Sequence, residues 1–199
     1  MSIFNSLNNI LPFLGAVLGM GIGYKIRDKS SNGLKLILSF SGAFLLGVTI
    51  FHLMPEVFSK VNNKPGLWIV SGIILQILLE YLSQGTEHGH SHIKSNEYLP
   101  WVLFLSLCLH AFIEGLPLGH ESSLVWGIFI HKIPIGMVLF YMIWDTKSSK
   151  ILKITALFIF AIMSPFGSIA LEYNDALQNY QTQITAIVIG MLLHIATTI

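Results

Sequence analysis

The amino-acid sequence predicts an all-α fold, a polytopic transmembrane helix bundle with seven spans. Of 199 residues, 53% are hydrophobic and only 11% charged, and the mean hydropathy is +0.70, too apolar for a domain wetted on its surface. The apolar residues gather into seven runs bounded by polar, Pro or Gly punctuation, at about 7–25, 34–57, 67–83, 99–119, 123–144, 151–172 and 181–199. Each is near the roughly 17–25 residues that cross a bilayer as a helix. No run alternates with period two, and lipid leaves backbone polar groups to be satisfied internally, so helices are expected rather than a barrel. A net charge of +1 gives no footing for nucleic acid, and no basic amphipathic segment suggests attachment to a membrane surface alone. Cys108, the lone cysteine, falls inside a run and reads as a small buried apolar side chain, with no internal disulfide open to it.

The first run has no basic stretch before it and no small-residue cleavage pattern after it, so it reads as a retained span rather than a signal peptide. Small residues recur at helical spacing: Gly15, Gly19 and Gly23 in the first span, Ser39, Ala43 and Gly47 in the second, Gly115 and Gly119 in the fourth. Such rows let helix backbones approach closely in lipid. The second span closes on His52-Leu-Met-Pro55-Glu56, and the third carries Glu80 near its end, where an interfacial position is expected. A polar connection of about 84–97 follows, with Glu87-His88-Gly-His90-Ser-His92. Tracts of this kind bind divalent metals weakly and adjustably. In the last span, Gly190 and His194 echo Gly47 and His52 with one residue of difference in spacing, a weak internal repeat of the sort found in transporters. Trp68, Trp101, Trp126 and Trp144 all fall near span ends, as interfacial anchors do.

Orientation follows from the basic residues of the short connections. With the N-terminus outside, the cytoplasmic side holds Lys25, Arg27, Lys29, Lys35, Lys94, Lys147, Lys150 and Lys153, against Lys60 and Lys64 outside. The His-rich loop is then cytoplasmic. Lys132 belongs to neither side, because it lies within a span.

The fourth and fifth spans carry the chemistry. His110 and Glu114 are four residues apart, on one helix face. A carboxylate at bilayer depth costs roughly 2.5 kcal/mol or more unless it is paired or wetted, so the pair is a functional suspect. His131-Lys132 repeats the anomaly in the next span. Pro134 removes a backbone donor there and frees the carbonyl of Ile130, and Pro117 acts similarly after Glu114. Two imidazoles and a carboxylate, from His110, His131 and Glu114, suit Zn²⁺ and accept Fe²⁺, Mn²⁺, Co²⁺ or Cd²⁺. His52 and Glu56 would form an outer entrance to the path, and His194 a polar group along it. The same donors would also serve a membrane-embedded zinc-dependent hydrolase, and paired histidines a haem-binding membrane protein.

Taken together, these motifs resemble the ZIP (Zrt/Irt-like) family of divalent-metal transporters. The fourth-helix pattern His-x-x-x-Glu-Gly stands as His110-Ala-Phe-Ile-Glu114-Gly115, the fifth-helix pattern His-x-x-Pro as His131-Lys-Ile-Pro134, and the second-helix signature as His52-Leu-Met-Pro55-Glu56. The His-rich loop between the third and fourth spans also agrees. The resemblance implies a single domain over 1–199, eight helices with both termini outside, metal held between the fourth and fifth, and a repeat relating the first three helices to the last three. With seven spans, the eighth helix is expected to be missing. It further implies a transporter and not an enzyme. Zn²⁺ would be its substrate, entering past His52 and Glu56, binding at His110, Glu114 and His131, and leaving toward the loop with His88, His90 and His92. Divalent ions and the bilayer are the expected partners, with a homodimer as the candidate assembly. Ala111, Lys132 and Ile135 depart from the family pattern, where Asn, an acid and Glu are usual, and Ser164 offers no carboxylate from the sixth span. The departures imply that one of two adjacent metal positions is lost, with the Lys132 ammonium in its place beside Glu114.

Overall fold

A computed structural model describes residues 3–26, 32–60, 64–83, 99–119 and 122–198. The expectations for His88, His90 and His92 fall outside the described residues. Every regular element described is helical: α1 (Ile3–Ile26), α2 (Asn32–Val48), a π-helical turn (Thr49–Leu53), α3 (Met54–Lys60), α4 (Pro65–Ser83), α5 (Trp101–Gly115), a 3-10 turn (Leu116–Gly119), α6 (Ser122–Trp144), α7 (Lys150–Glu172), α8 (Asp175–Gln178) and α9 (Gln181–Thr198). Among the described residues, seven helical segments are long and apolar enough to cross a membrane, with α2, the π-turn and α3 forming one of them. Large apolar side chains such as Leu36, Phe40, Ile74, Val102, Leu105 and Ile151 are exposed on the outer faces, where acyl chains solvate them.

Local chemistry sets the interruptions. In the second span the Met54 N–H reaches the Thr49 carbonyl, five residues back, and the Thr49 hydroxyl donates to the Leu45 carbonyl at 2.8 Å. Pro55 has no N–H and crowds the carbonyl of the preceding turn, which is the local reason for the wider winding. Pro117 sits in the 3-10 turn that ends the fourth span, whereas α6 runs unbroken through Pro134. The α7 start is capped by Ser149, whose hydroxyl accepts from the Leu152 N–H at 3.3 Å. The short α8 is capped by Asn174, which accepts from the N–H groups of Ala176 and Leu177.

Three helix pairs pack with their backbones nearly touching. A Cβ placed on Gly19 of α1 would lie 2.0 Å from the Ile133 carbonyl of α6. Across α4 and α9 the approach is reciprocal, Gly72 to the Ile187 carbonyl and Gly190 to that of Ile69, each 2.0 Å. Gly115 of α5 and Gly167 of α7 meet the carbonyls of Ser164 and Phe112 at 2.2 and 2.1 Å in the same way. The rows expected in the first and fourth spans thus line interfaces. The row Ser39, Ala43 and Gly47 does not: Ser39 and Ala43 are exposed, and nothing lies within 4 Å of a Cβ on Gly47. Instead α2 buries Leu34, Leu38, Ser41 and Leu45, and the small residue at that contact is Gly127 of α6, where a Cβ would lie 3.1 Å from Leu45 Cδ1. Bulk and cavity are exchanged between the partners. Gly47 and Gly190 therefore occupy unlike environments.

Among the described residues the core has a small cluster, in which Leu34 and Leu38 of α2 pack on Met137 and Val138 of α6, and two large ones. One cluster joins α1, α5, α6 and α7 through residues such as Leu103, Leu107, Ala111, Leu139, Phe140 and Phe160, with Cys108 buried in it as expected. The other joins the second span, α4, α6 and α9 through Leu45, Leu53, Ile69, Ile128, Val188 and Leu192. Helix α6 passes from one to the other, Ile128 in the second and Ile135 in the first, and His131 and Lys132 fall at the boundary.

Candidate metal centre

Polar side chains meet where the two larger apolar clusters end. One donor atom from each of His110, Glu114 and His131 lies within 4.8 Å of the others, and all three residues are buried. The helical spacing on α5 brings His110 Nε2 to 3.2 Å from Glu114 Oε2. The other carboxylate oxygen, Oε1, is 2.5 Å from the Lys132 ammonium of α6 and 3.3 Å from the Ser164 hydroxyl of α7. That hydroxyl is also 3.0 Å from the Ala111 carbonyl, and the ammonium lies 4.5 Å above the centre of the Phe160 ring. On the far side of the His110 ring, Nδ1 is 2.9 Å from Gln76 Oε1 of α4. None of His110, Glu114, His131, Lys132, Gln76 and Ser164 is more than 3% exposed.

This geometry divides the labour of the carboxylate. Oε1 faces a fixed cation and a hydroxyl, and Oε2 faces the imidazole, so one oxygen neutralises Lys132 while the other points toward the histidines. A buried carboxylate and ammonium at this distance offset part of each other's desolvation, and the Ser164 hydroxyl adds to it. A dication with ligand bonds of about 2.0–2.2 Å holds its donors no more than about 4 Å apart. The cluster is therefore slightly wider than a closed coordination shell and would contract around an ion. Among the described residues, close backbone approach between α5 and α6 is nearly absent, and these long side chains span the gap.

The structure brings His110, Glu114, His131 and Lys132 together and leaves His52, Glu56 and His194 apart from them. His52 is exposed on the π-turn, and Glu56 pairs with Lys60 one turn later on α3. His194 of α9 binds Glu80 of α4, Nε2 to Oε2 at 2.6 Å, in a half-buried position. Glu80 lies one helical turn beyond Gln76, so this second polar pair follows the cluster along α4. Of the family departures, Ile135 joins the apolar core, Ala111 contributes only its carbonyl, and Ser164 adds a hydroxyl to Glu114. Sequence reasoning missed Gln76 and gave Ser164 no contact. A signal for Gln76 existed, since it is an amide in the interior of an otherwise apolar span.

Comparison with known proteins points the same way. A family model described as the ZIP zinc transporter matches residues 81–198, more than half of the chain. The protein zntD of Dictyostelium discoideum is 34% identical over 105 residues, 43% of this chain and 15% of that protein. A zinc transporter ZIP13 homolog of Drosophila melanogaster is 30% identical over 114 residues, 53% of this chain and 31% of that one. The zinc transporter ZIP13 of Pongo abelii is 25% identical over 158 residues, 67% and 46% respectively. The chain spans less than half the length of each of these relatives.

Proposed function

The chain belongs to the ZIP zinc transporter family, and from that premise we propose that it carries a divalent cation, Zn²⁺ in the first place, across the membrane through the centre between α5 and α6. It is an integral, multi-pass membrane protein, and its family places it among transporters rather than enzymes. The observation that carries the reading is the convergence of three buried donors, His110, Glu114 and His131, from two neighbouring spans. Imidazole nitrogen and carboxylate oxygen replace the hydration shell of the ion, and Zn²⁺ accepts both. Fe²⁺, Mn²⁺, Co²⁺ and Cd²⁺ accept the same donors and are the competing substrates.

Lys132 sets the charge of the site. Its ammonium holds Glu114 Oε1, the oxygen a second adjacent ion would need, so the centre takes one ion at a time through Oε2. With donors this deeply buried, the ion enters and leaves only when helices move, as alternating access requires. The distribution of Lys and Arg orients the N-terminus outward and the 84–97 connection to the cytoplasm. Zinc accordingly passes His52 and Glu56 on its way in, and Glu80 and His194 on its way toward His88, His90 and His92. The test is zinc uptake into proteoliposomes with competing divalent ions. His110→Ala and Glu114→Ala are expected to abolish uptake while the protein still inserts, and normal accumulation in both variants would refute the assignment.

A further inference from the structure

A histidine can ligate through Nε2 only if Nε2 presents a lone pair, which in the neutral ring requires the proton to sit on Nδ1. The group facing the other nitrogen decides which tautomer is held, and metal-binding imidazoles commonly have such a partner. In His110 the two nitrogens face opposite ways. Nε2 turns toward Glu114 Oε2 at 3.2 Å, and Nδ1 turns toward Gln76 Oε1 at 2.9 Å. Gln76 is fully buried on α4, a helix whose close backbone partner is α9 and not α5. Burying an amide in an apolar span is unfavourable unless it finds a hydrogen-bonding partner, and this one finds the ring.

We propose that Gln76 is the positioning residue of the metal centre. Its side-chain carbonyl accepts the Nδ1 proton of His110, fixes the tautomer whose Nε2 lone pair faces Glu114 and the ion, and does so from a different close-packed helix pair. The choice of amide over carboxylate has a consequence. A carboxylate at this position would bring a second negative charge beside Glu114 and make the imidazole a stronger donor, holding the ion longer. A neutral acceptor orients the ring without that added grip, which suits an ion that must be released.

The proposal rests on His110, Glu114 and His131 being the metal site, and the experiment separates the two. Co²⁺ binding to the purified chain is followed by its d–d absorption, with His88, His90 and His92 replaced by Ala to remove the loop as a competing ligand. Gln76→Met keeps the length of the side chain and removes the strong acceptor; it is expected to weaken Co²⁺ binding roughly 10–100-fold. Gln76→Glu restores an acceptor, and it is expected to bind Co²⁺ at least as tightly as the parent while turning over zinc more slowly at saturation. A packing role alone would not order the variants this way. Unchanged affinity in Gln76→Met, or equal weakening in Gln76→Met and Gln76→Glu, would overturn the proposal. If Glu114→Ala also bound Co²⁺ with an unchanged spectrum, the metal site itself would be wrong, and the role of Gln76 would fall with it.

Discussion

Replacing Lys132 by Met keeps most of the aliphatic stem and removes the ammonium. The structure sets the size of the effect. Lys132 Nζ lies 2.5 Å from Glu114 Oε1, and the two side chains are 2% and 0% exposed. Removing one member of a buried ion pair leaves the other charge uncompensated and typically destabilises by about 3–5 kcal/mol. For a chain of 199 residues, a kcal/mol corresponds to about 2–4 °C, so the midpoint should fall by about 6–20 °C. The assay is thermal unfolding in detergent at one fixed scan rate, read from tryptophan fluorescence. Adding zinc supplies the missing positive charge to Glu114, and it should raise the midpoint of Lys132→Met more than that of the parent. The double variant Lys132→Met/Glu114→Gln should recover much of the loss, because neither charge is then left alone. A midpoint within about 2 °C of the parent, or strictly additive effects in the double variant, would refute the pairing on which the one-ion reading stands.

Two further outcomes follow from the geometry. Gly19→Ala forces a backbone shift against the Ile133 carbonyl and should destabilise by about 1–3 kcal/mol, whereas Gly47→Ala, facing open space, should stay within about 0.5 kcal/mol of the parent in the same unfolding assay. His194→Leu breaks the pair with Glu80; it should slow zinc uptake at saturation while leaving Co²⁺ affinity at the three-donor centre unchanged, and unaltered uptake would remove His194 from the path.

The spans were legible in the sequence because lipid imposes a coarse and local rule, about twenty apolar residues between polar ends. The seventh span, read at 181–199, is the helix Gln181–Thr198, and the fifth, read at 123–144, is Ser122–Trp144. The cluster of His110, Glu114 and His131 was legible for a related reason: ionisable groups inside such runs are costly to bury and are retained where a function needs them. What failed depended on partners. Ser39, Ala43 and Gly47 have the spacing of a packing row, yet whether a small residue is used depends on the size of what faces it, and α2 meets Gly127 with leucine. Gln76 escaped notice because one amide in an apolar run gains meaning only when His110, 34 residues away, is seen beside it. The winding of Thr49–Leu53 depends on how Pro55 is accommodated, which composition does not reveal.

The placement of the site across helix pairs bears on how a buried ion could escape. Within α1/α6, α4/α9 and α5/α7, glycine brings backbone against backbone, so relative movement inside a pair would collide with main-chain atoms. Between α5 and α6 the contact is made chiefly by side chains. His110 and Glu114 belong to the α5/α7 pair, His131 and Lys132 to α1/α6, and Gln76 to α4/α9, so the centre draws its side chains from three close-packed helix pairs. Bistable packing between rigid elements is a known physical route to discrete conformations. A displacement of α5 relative to α6 would separate His110 from His131 and stretch the Glu114 to Lys132 contact, and a displacement relative to α4 would withdraw Gln76 from Nδ1. Each removes something the ion needs: a donor in the first case, the oriented tautomer in the second. On the proposed metal site, weakening of the centre and separation of the helices are then one movement.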